Sequence, residues 1–377
     1  MLRANDCFAE QVSGVDRIDL ASEILKFGIS ITWGKRFWEE DHMSIVRQCR
    51  KAIQTVVFGN TLLPQEFFLG LADPQTEITV WLYGMGTPLD VTFRHSMACA
   101  APFTVCIAFD EDRKPSEKDL GNLSLKFCER DGQKRLLGEI HLKMSSVIPA
   151  AAMEIILFEA QGSTNYCLPK MRLCAHYLLH SYSQWRKVDT SGMRMSFLER
   201  RAAMVMFICP HPVSLVSLAD DSRGNIFPMN VMGDLGNGYF AFALKDSRRA
   251  AHLVERTGRI AVSSLPLARA PLAYQLAVNH TKEFIEWEQL PFATRMSTTF
   301  NIPVPVFAQR VREMEIVRVH SIGSHTFFVA RIICDEIRAK GPGLCVIHGF
   351  YQAWRLKGRN GELQASVAED SFNKRGF

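Results

Sequence analysis

The chain has no CxxC pair, and none of its ten cysteines stands among histidines at zinc-ligand spacing. That excludes the common structural zinc sites and dithiol redox motifs, and no bound metal is expected. Thiols scattered through strand-like segments, such as Cys99, Cys106, Cys128 and Cys345, read as reduced and mostly buried cysteines of a cytoplasmic protein. A basic stripe is also missing. Lys and Arg number 44 against 39 Asp and Glu, a net charge of +5, so no nucleic-acid partner is expected. The start, MLRANDCFAEQ, has no apolar h-region, so no signal peptide is expected. One run, Ala202 to Ala219, lacks charge over a length that approaches a membrane span. Pro210 and Pro212 flank His211 at its middle and break any helix there, so the run is expected to form two buried strands of a soluble protein without a membrane partner.

What is present is globular. Apolar residues make up 47% and charged residues 22% of 377, long for one core and apportioned more naturally to two domains. Ile45, Val46, Cys49, Ile53 and Val56 share one face of an expected helix. Beyond it the period turns to two, in Thr79 to Tyr83, Phe103 to Phe109, Ser124 to Cys128, Leu137 to Leu142 and Ile155 to Phe158. Asp110 to Gly121 reads as a charged loop, and Pro169 to Trp185 as a closing helix in which Leu173, His176, Tyr177 and His180 recur at helical spacing. The polar stretch Val188 to Arg200 is the linker candidate. It divides the chain into an N-terminal α+β domain of unassigned role (1–190) and a C-terminal antiparallel β-barrel (191–377), a mainly β protein with some α.

In the second domain, strands are expected over Val213 to Leu218, Ile226 to Met232, Tyr239 to Lys245 and Arg259 to Leu265, with longer ones over Arg312 to His320 and Thr326 to Cys334. Leu235-Gly236-Asn237-Gly238 is a tight turn, and Asp246 or Ser247 caps a helix that runs to Thr257 and stops at Gly258. The polar tail from Asn360 is expected to be loose. Leu173-Cys174 with Trp185-Arg186-Lys187 faintly echoes Leu344-Cys345 with Trp354-Arg355-Leu356-Lys357, which carries meaning only if the first domain is a diverged barrel too.

Several motifs in fixed order carry the chemistry. Pro212-Val-Ser-Leu-Val-Ser-Leu218 precedes Gly224-Asn-Ile-Phe-Pro-Met-Asn230, Lys245-Asp-Ser-Arg-Arg249 and Val254 to Val262. Ile302-Pro-Val-Pro305, Glu313-Met-Glu315 and Ile322-Gly-Ser-His-Thr326 follow. From about Met204 to Lys357 this order resembles the flavin-reductase-like family of FMN-binding split barrels. The resemblance implies a G-x-N-x-x-P strand followed by a helix that opens beside the flavin phosphate. Independently, Ser247 at a helix start with Arg248 and Arg249 offers amides, a dipole and cations to a phosphate. Ala241 and Ala243 give one face of their strand the small side chains that a ring cofactor needs, as would any tight barrel wall.

The cofactor-binding residues so implied are Asn225, Pro228, Met229, Asn230, Val231, Ser247, Arg248 and Arg249, with His325 as the candidate catalytic residue near the nicotinamide or flavin N5. Asn230 stands where the family commonly has Ser or Thr, and Ser324 replaces the acidic residue before His325. The implied cofactor is FMN, with FAD as the other candidate, and NADH or NADPH is the implied co-substrate. The resemblance further implies a homodimer with flavin at the subunit seam, and an oxidoreductase that passes electrons to a free flavin, a protein partner or another acceptor. The alternative is a non-catalytic flavin- or haem-binding module, or an assembly protein whose N-terminal domain docks a partner. His280 and Lys282 read either as a surface loop or as contacts to a dinucleotide phosphate, Cys167 as a buried thiol, and His348 to Arg355 as packing aromatics.

Overall fold

Two seven-stranded antiparallel sheets with the same strand order carry the chain. The computed structural model describes residues 66–358, apart from 74–76, 117, 131–132, 151–152, 187–194 and 221–222. The chain divides into Met1–Asn60 and Thr61–Phe377, and all described residues belong to the second unit. The helix expected around residues 45–56, the first part of the linker candidate and the polar tail lie outside the described residues.

After β1 (Glu66–Leu71), the first sheet comprises β2 (Ile78–Tyr83), β3 (Leu89–Asp90), β4 (His95–Ala100), β5 (Phe103–Phe109), β6 (Ser124–Glu129), β7 (Leu136–Ala150) and β8 (Met153–Asn165). Helices α1 (Lys170–Arg186) and α2 (Phe197–Met206) lead to β9 (His211–Pro212). The second sheet opens with β10 (Ser214–Asp220), β11 (Arg223–Met229), β12 (Met232–Gly236) and β13 (Tyr239–Lys245), followed by helix α3 (Arg249–Thr257) and β14 (Arg259–Ser264). An excursion through α4 (Pro271–Gln275), β15 (Thr294–Met296) and β16 (Pro303–Pro305) precedes the long β17 (Arg310–Ile322) and β18 (His325–Ile337). The last elements are β19 (Gly343–His348) and α5 (Gly349–Gly358).

The first sheet runs β3-β2-β6-β7-β8-β5-β4 and the second β11-β10-β14-β17-β18-β13-β12. Taken in chain order, the strands of one map onto the strands of the other without exception. In the second sheet the two end strands, β11 and β12, are joined by only Asn230 and Val231, so the sheet must roll until its edges meet. Residues 91–94 impose the same closure between β3 and β4. Each sheet is thus a barrel split between its end strands, and the domain expected as α+β repeats the topology of the second barrel. Period-two side-chain alternation fills them. Val105, Ile107 and Phe109 point into the first core, and Phe240, Phe242 and Leu244 into the second.

The opposite faces of those strands meet each other. Cys106 and Ala108 of β5 with Ile155 and Leu157 of β8 form one buried cluster with Ala241 and Ala243 of β13 and Phe327 and Val329 of β18. The small residues of β13 therefore form a seam between barrels. Further ties cross it: β19 pairs with both β1 and β9, and Phe350 and Tyr351 of α5 sit in the first barrel's core. Arg355 Nη2 donates to Glu77 Oε1 at 2.6 Å, and Tyr351 Oη donates to Glu77 Oε2 at 2.7 Å.

The run Ala202 to Ala219 departs from its expected pair of strands, because Ala202 to Met206 complete helix α2. The local signal is a capping box: Ser196 accepts from the Glu199 amide, and the Glu199 carboxylate accepts from the Ser196 amide. The helix buries Ala202, Met204, Val205 and Met206 in the first barrel's core, although it follows the linker candidate. Only β9 and β10 of that run are extended. Other expectations hold closely. β13 spans Tyr239–Lys245, and α3 ends at Gly258 with φ +64°, its amide bonded to the Val254 carbonyl.

His211 and His348 are buried, and burial lowers their imidazoles from 6.5 to about 4 and about 3. Both are therefore held neutral, and protonation favours the unfolded chain. Their contribution to stability is complete above pH 6.5 and is lost as the pH falls towards 4. Urea midpoints are expected to fall steadily from pH 7.5 to pH 5, more steeply than in a variant with His211→Phe and His348→Phe.

Candidate functional site

The joint that splits the second barrel forms one wall of a cleft of about 280 Å³. Pro228, Met229, Asn230 and Val231 line that wall. Ala243, Leu244, Lys245 and Arg248 line the facing side, and Ala277 and His280 close one end. This volume lies at the small end of ligand sites, roughly 300–1,000 Å³, and suits a part of a dinucleotide-sized molecule.

Its electrostatics favour an anion. Lys245 and Arg248 both line it, and no described carboxylate does. The neighbouring Asp246 carboxylate is turned away, accepting from Thr326 Oγ1 at 2.6 Å. Helix α3 begins here with Arg248 at its N-cap position and no side chain capping its first-turn amides. An uncapped helix start beside two cations suits a phosphate. Arg248 thus takes the position expected for Asp246 or Ser247, because those two residues form a turn, closed by the Arg248 amide donating to the Lys245 carbonyl at 2.9 Å, and Arg248 itself is extended before the first helical residue. Ser247 and Arg249 are exposed beside the cleft and do not line it.

Asn225 does not reach the cleft either. It is fully buried, and its Nδ2 donates to the carbonyls of Asn279 and Lys282, both at 2.9 Å. Its amide anchors the excursion between β14 and β17, which brings His280 to the site. His280 Nε2 lies 2.7 Å from the Pro228 carbonyl, and its ring packs on Phe227 with centroids 4.7 Å apart. Burial lowers its pKa, the Pro228 contact opposes this, and Arg248 lowers it further. The neutral imidazole donates to the Pro228 carbonyl and fixes the joint's first residue. Sequence reading left His280 open to a surface-loop role, and Lys245 went unassigned. Both were legible only as neighbours of the motif. Lys282 is exposed in the loop.

His325 lies on β18 directly opposite Lys245 of β13, is buried, and does not line the cleft. Burial lowers its pKa, Asp246 partly restores it and Lys245 lowers it. Its Nδ1 is 2.9 Å from Ser324 Oγ and 3.6 Å from Cys99 Sγ of the first barrel. Cys99 Sγ also donates to the Ile322 carbonyl at 3.0 Å, and the Ser324 amide donates to Ala101 O at 3.0 Å. The turn before His325 is therefore clasped by the β4–β5 hairpin. Gly323, at φ +51°, permits that approach, because a Cβ there would collide with the Ala101 carbonyl and the Pro102 ring. Gly323→Ala is expected to cost at least about 2 kcal/mol, combining the positive φ with the collision. Thermal unfolding should show a clear fall in Tm, whereas Gly86→Ala in open space should show a smaller one.

Other motif residues have supporting roles. Burial would raise the Glu313 carboxyl, but bonds from Ser297 Oγ and the amides of Phe300 and Thr299 outweigh it and lower the pKa. Glu313 thus brackets the excursion loop. Cys167 is buried, and burial raises its thiol well above the usual range, as the buried-thiol reading requires. Among the described residues no His, Cys, Asp and Glu group is arranged to hold a metal ion.

Residues 206–355 match the family described as flavin reductase like domain. The matched span begins at the end of α2 and stops within α5, so the match lies on the second barrel and excludes the strands of the first. Solved structures similar to the chain include an FMN-binding protein from Thermus thermophilus, 19% identical, covering 43% of this chain and 95% of that one with a TM-score of 0.34. The NADH:FAD oxidoreductase of Streptomyces globisporus C-1027 is 16% identical, covering 42% and 95% with a TM-score of 0.37. The styrene monooxygenase flavin reductase of Pseudomonas putida S12 is 19% identical, covering 38% and 90% with a TM-score of 0.32. Comparison with curated proteins gives no match.

Proposed function

We propose that the cleft at the split of the second barrel binds FMN, or the FMN portion of FAD, and that the protein is an oxidoreductase using NADH or NADPH to reduce it. The electrons then pass to a further acceptor, either a second flavin or a protein partner. One observation carries this reading: within a flavin reductase like domain, an uncapped helix start meets Lys245 and Arg248 in a cleft without a described carboxylate. When bound, the flavin supplies hydride acceptance, which no side chain can perform.

The chain's own residues bind and orient. Lys245, Arg248 and the first-turn amides of α3 hold the phosphate. Residues 229–231 and the small Ala243 leave room for a flat ring, and Asn230 offers an amide donor where a hydroxyl is commoner. His280 holds the joint rigid through the Pro228 carbonyl. A neutral His325 that accepts from Ser324 at Nδ1 keeps its proton on Nε2. The eight described cysteines are all free, which supports a reducing, cytoplasmic setting. No helix of the described residues is long and apolar enough to cross a membrane.

The burial of His325 outside the cleft lining favours a second reading, a flavin-binding module without turnover. Anaerobic addition of NADH and then NADPH to the FMN-loaded protein separates the two. Bleaching of the oxidised-flavin band is expected. A band that persists with both nicotinamides sinks the oxidoreductase reading and leaves the module.

A further inference from the structure

The two barrels repeat one strand order, yet their splits are chemically opposite. The Ala243 amide donates to the Val231 carbonyl at 3.1 Å, and the Ala108 amide donates to the Arg94 carbonyl at 2.9 Å. These matching bonds align the two joints, so that Arg94 corresponds to Val231, Ala108 to Ala243 and Asp110 to Lys245. Where the second barrel places a lysine, the first places a carboxylate. Where α3 begins with Arg248 and Arg249, the first barrel has a single turn, Glu111–Arg113, that opens on Glu111 and Asp112. Arg94 Nη1 closes on Asp110 Oδ2 at 2.6 Å, and its guanidinium holds the Asp110 carboxyl below the usual carboxylate range. Thr92 knits the same joint, donating to Asp90 Oδ1 at 2.6 Å and accepting from the Val80 amide at 2.9 Å. A phosphate placed here would meet carboxylates and lack a helix start.

The first barrel nevertheless packs against the second barrel's walls, although it contributes no side chain to the cleft lining. Its β4–β5 hairpin clasps the turn that carries His325, through Cys99 and Ala101. A further contact crosses the seam, with Asn237 Nδ2 of the β12–β13 hairpin donating to Asp110 Oδ1 at 3.4 Å. The equivalent strands β4 and β12 also pack against each other, with Gly233 close to His95 and Ser96, as two copies related by a two-fold axis would make them. Here both copies belong to one chain, and among the described residues only the second barrel's joint faces a helix start with Lys245 and Arg248.

We propose that the first barrel binds no flavin and serves as a built-in partner, supplying the second barrel's seam wall, so that a single chain forms one complete flavin site. The inference rests on the flavin reading above. It assigns the N-terminal domain a role and replaces the expected homodimer with an in-chain pair.

The test is an FMN titration of the full-length protein, with chain concentration from amino-acid analysis and mass from light scattering. One FMN per chain on a monomeric mass is expected. Asp110→Asn should leave the stoichiometry at one and the Kd within about twofold, while Lys245→Ala with Arg248→Ala should remove the high-affinity site and reveal no other. Two FMN per chain, or binding confined to dimers of the chain, would overturn the inference and leave the flavin reading standing, whereas a single site that survives the Lys245/Arg248 change would overturn both. An absence of FMN binding altogether would overturn the flavin reading, and this inference with it.

Discussion

Replacing Lys245 and Arg248 together by alanine is expected to weaken FMN binding by about 10²- to 10⁴-fold. A hydrogen bond to a charged group contributes about 1.5–3 kcal/mol, so two such contacts contribute about 3–6 kcal/mol, with a factor of ten for each 1.4 kcal/mol. Neither side chain is fully buried, so the variant should fold as the parent does. Arg249→Ala supplies the control. That arginine is adjacent in sequence and exposed, but it does not line the cleft, and its loss should change the Kd less than about threefold by screened long-range attraction alone. Equilibrium fluorescence titration checks all three proteins. Equal losses for the Lys245/Arg248 variant and for Arg249→Ala would place the phosphate outside the cleft.

Arg355→Ala is expected to produce the largest loss of stability. Its side chain is 5% exposed and that of Glu77 is 9% exposed, so truncation strands the Glu77 carboxylate in the protein interior without its cation. Breaking one half of a buried pair costs about 3–5 kcal/mol, whereas replacing both halves with apolar residues of similar volume is often close to neutral. Urea unfolding should therefore show a large fall in midpoint for Arg355→Ala and a much smaller one for Glu77→Leu with Arg355→Met. The pair joins the entry to β2 with the C-terminal helix, so its loss should loosen the two barrels together. A single cooperative transition that shifts as a whole is expected, and selective melting of one barrel would contradict the in-chain pairing.

Much of the second barrel was legible in the sequence because its signals are local. Strand β13 alternates cleanly, the Gly236-Asn237-Gly238 turn requires positive φ, and Gly258 marks a helix end. The joint residues 228–231 and Arg248 were found through motif order and do line one cleft. Asn225 was misleading because a buried amide that brackets a loop has the same sequence signature as one that faces a ligand. Ser247 misled because the helix starts one residue later than a serine cap would place it. The first barrel was harder to see. Its strand β4, His-Ser-Met-Ala-Cys-Ala, contains no β-branched residue, and its counterpart of α3 is a charged loop. It also lacks the excursion between β14 and β17, so the two halves share topology without sharing spacing. The contact of Cys99 with His325 spans 226 positions and has no local signal at all.

Comparison of FMN with riboflavin tests the central claim most directly, since the two ligands differ only by the phosphate assigned to Lys245 and Arg248. The wild-type protein is expected to prefer FMN by at least about a hundredfold, as two charge-assisted contacts imply. In the Lys245→Ala, Arg248→Ala variant that preference should shrink to within about tenfold, with riboflavin affinity nearly unchanged. A preference for FMN that survives in the variant, or its absence from the wild-type protein, would contradict the placement of the flavin at the split of the second barrel.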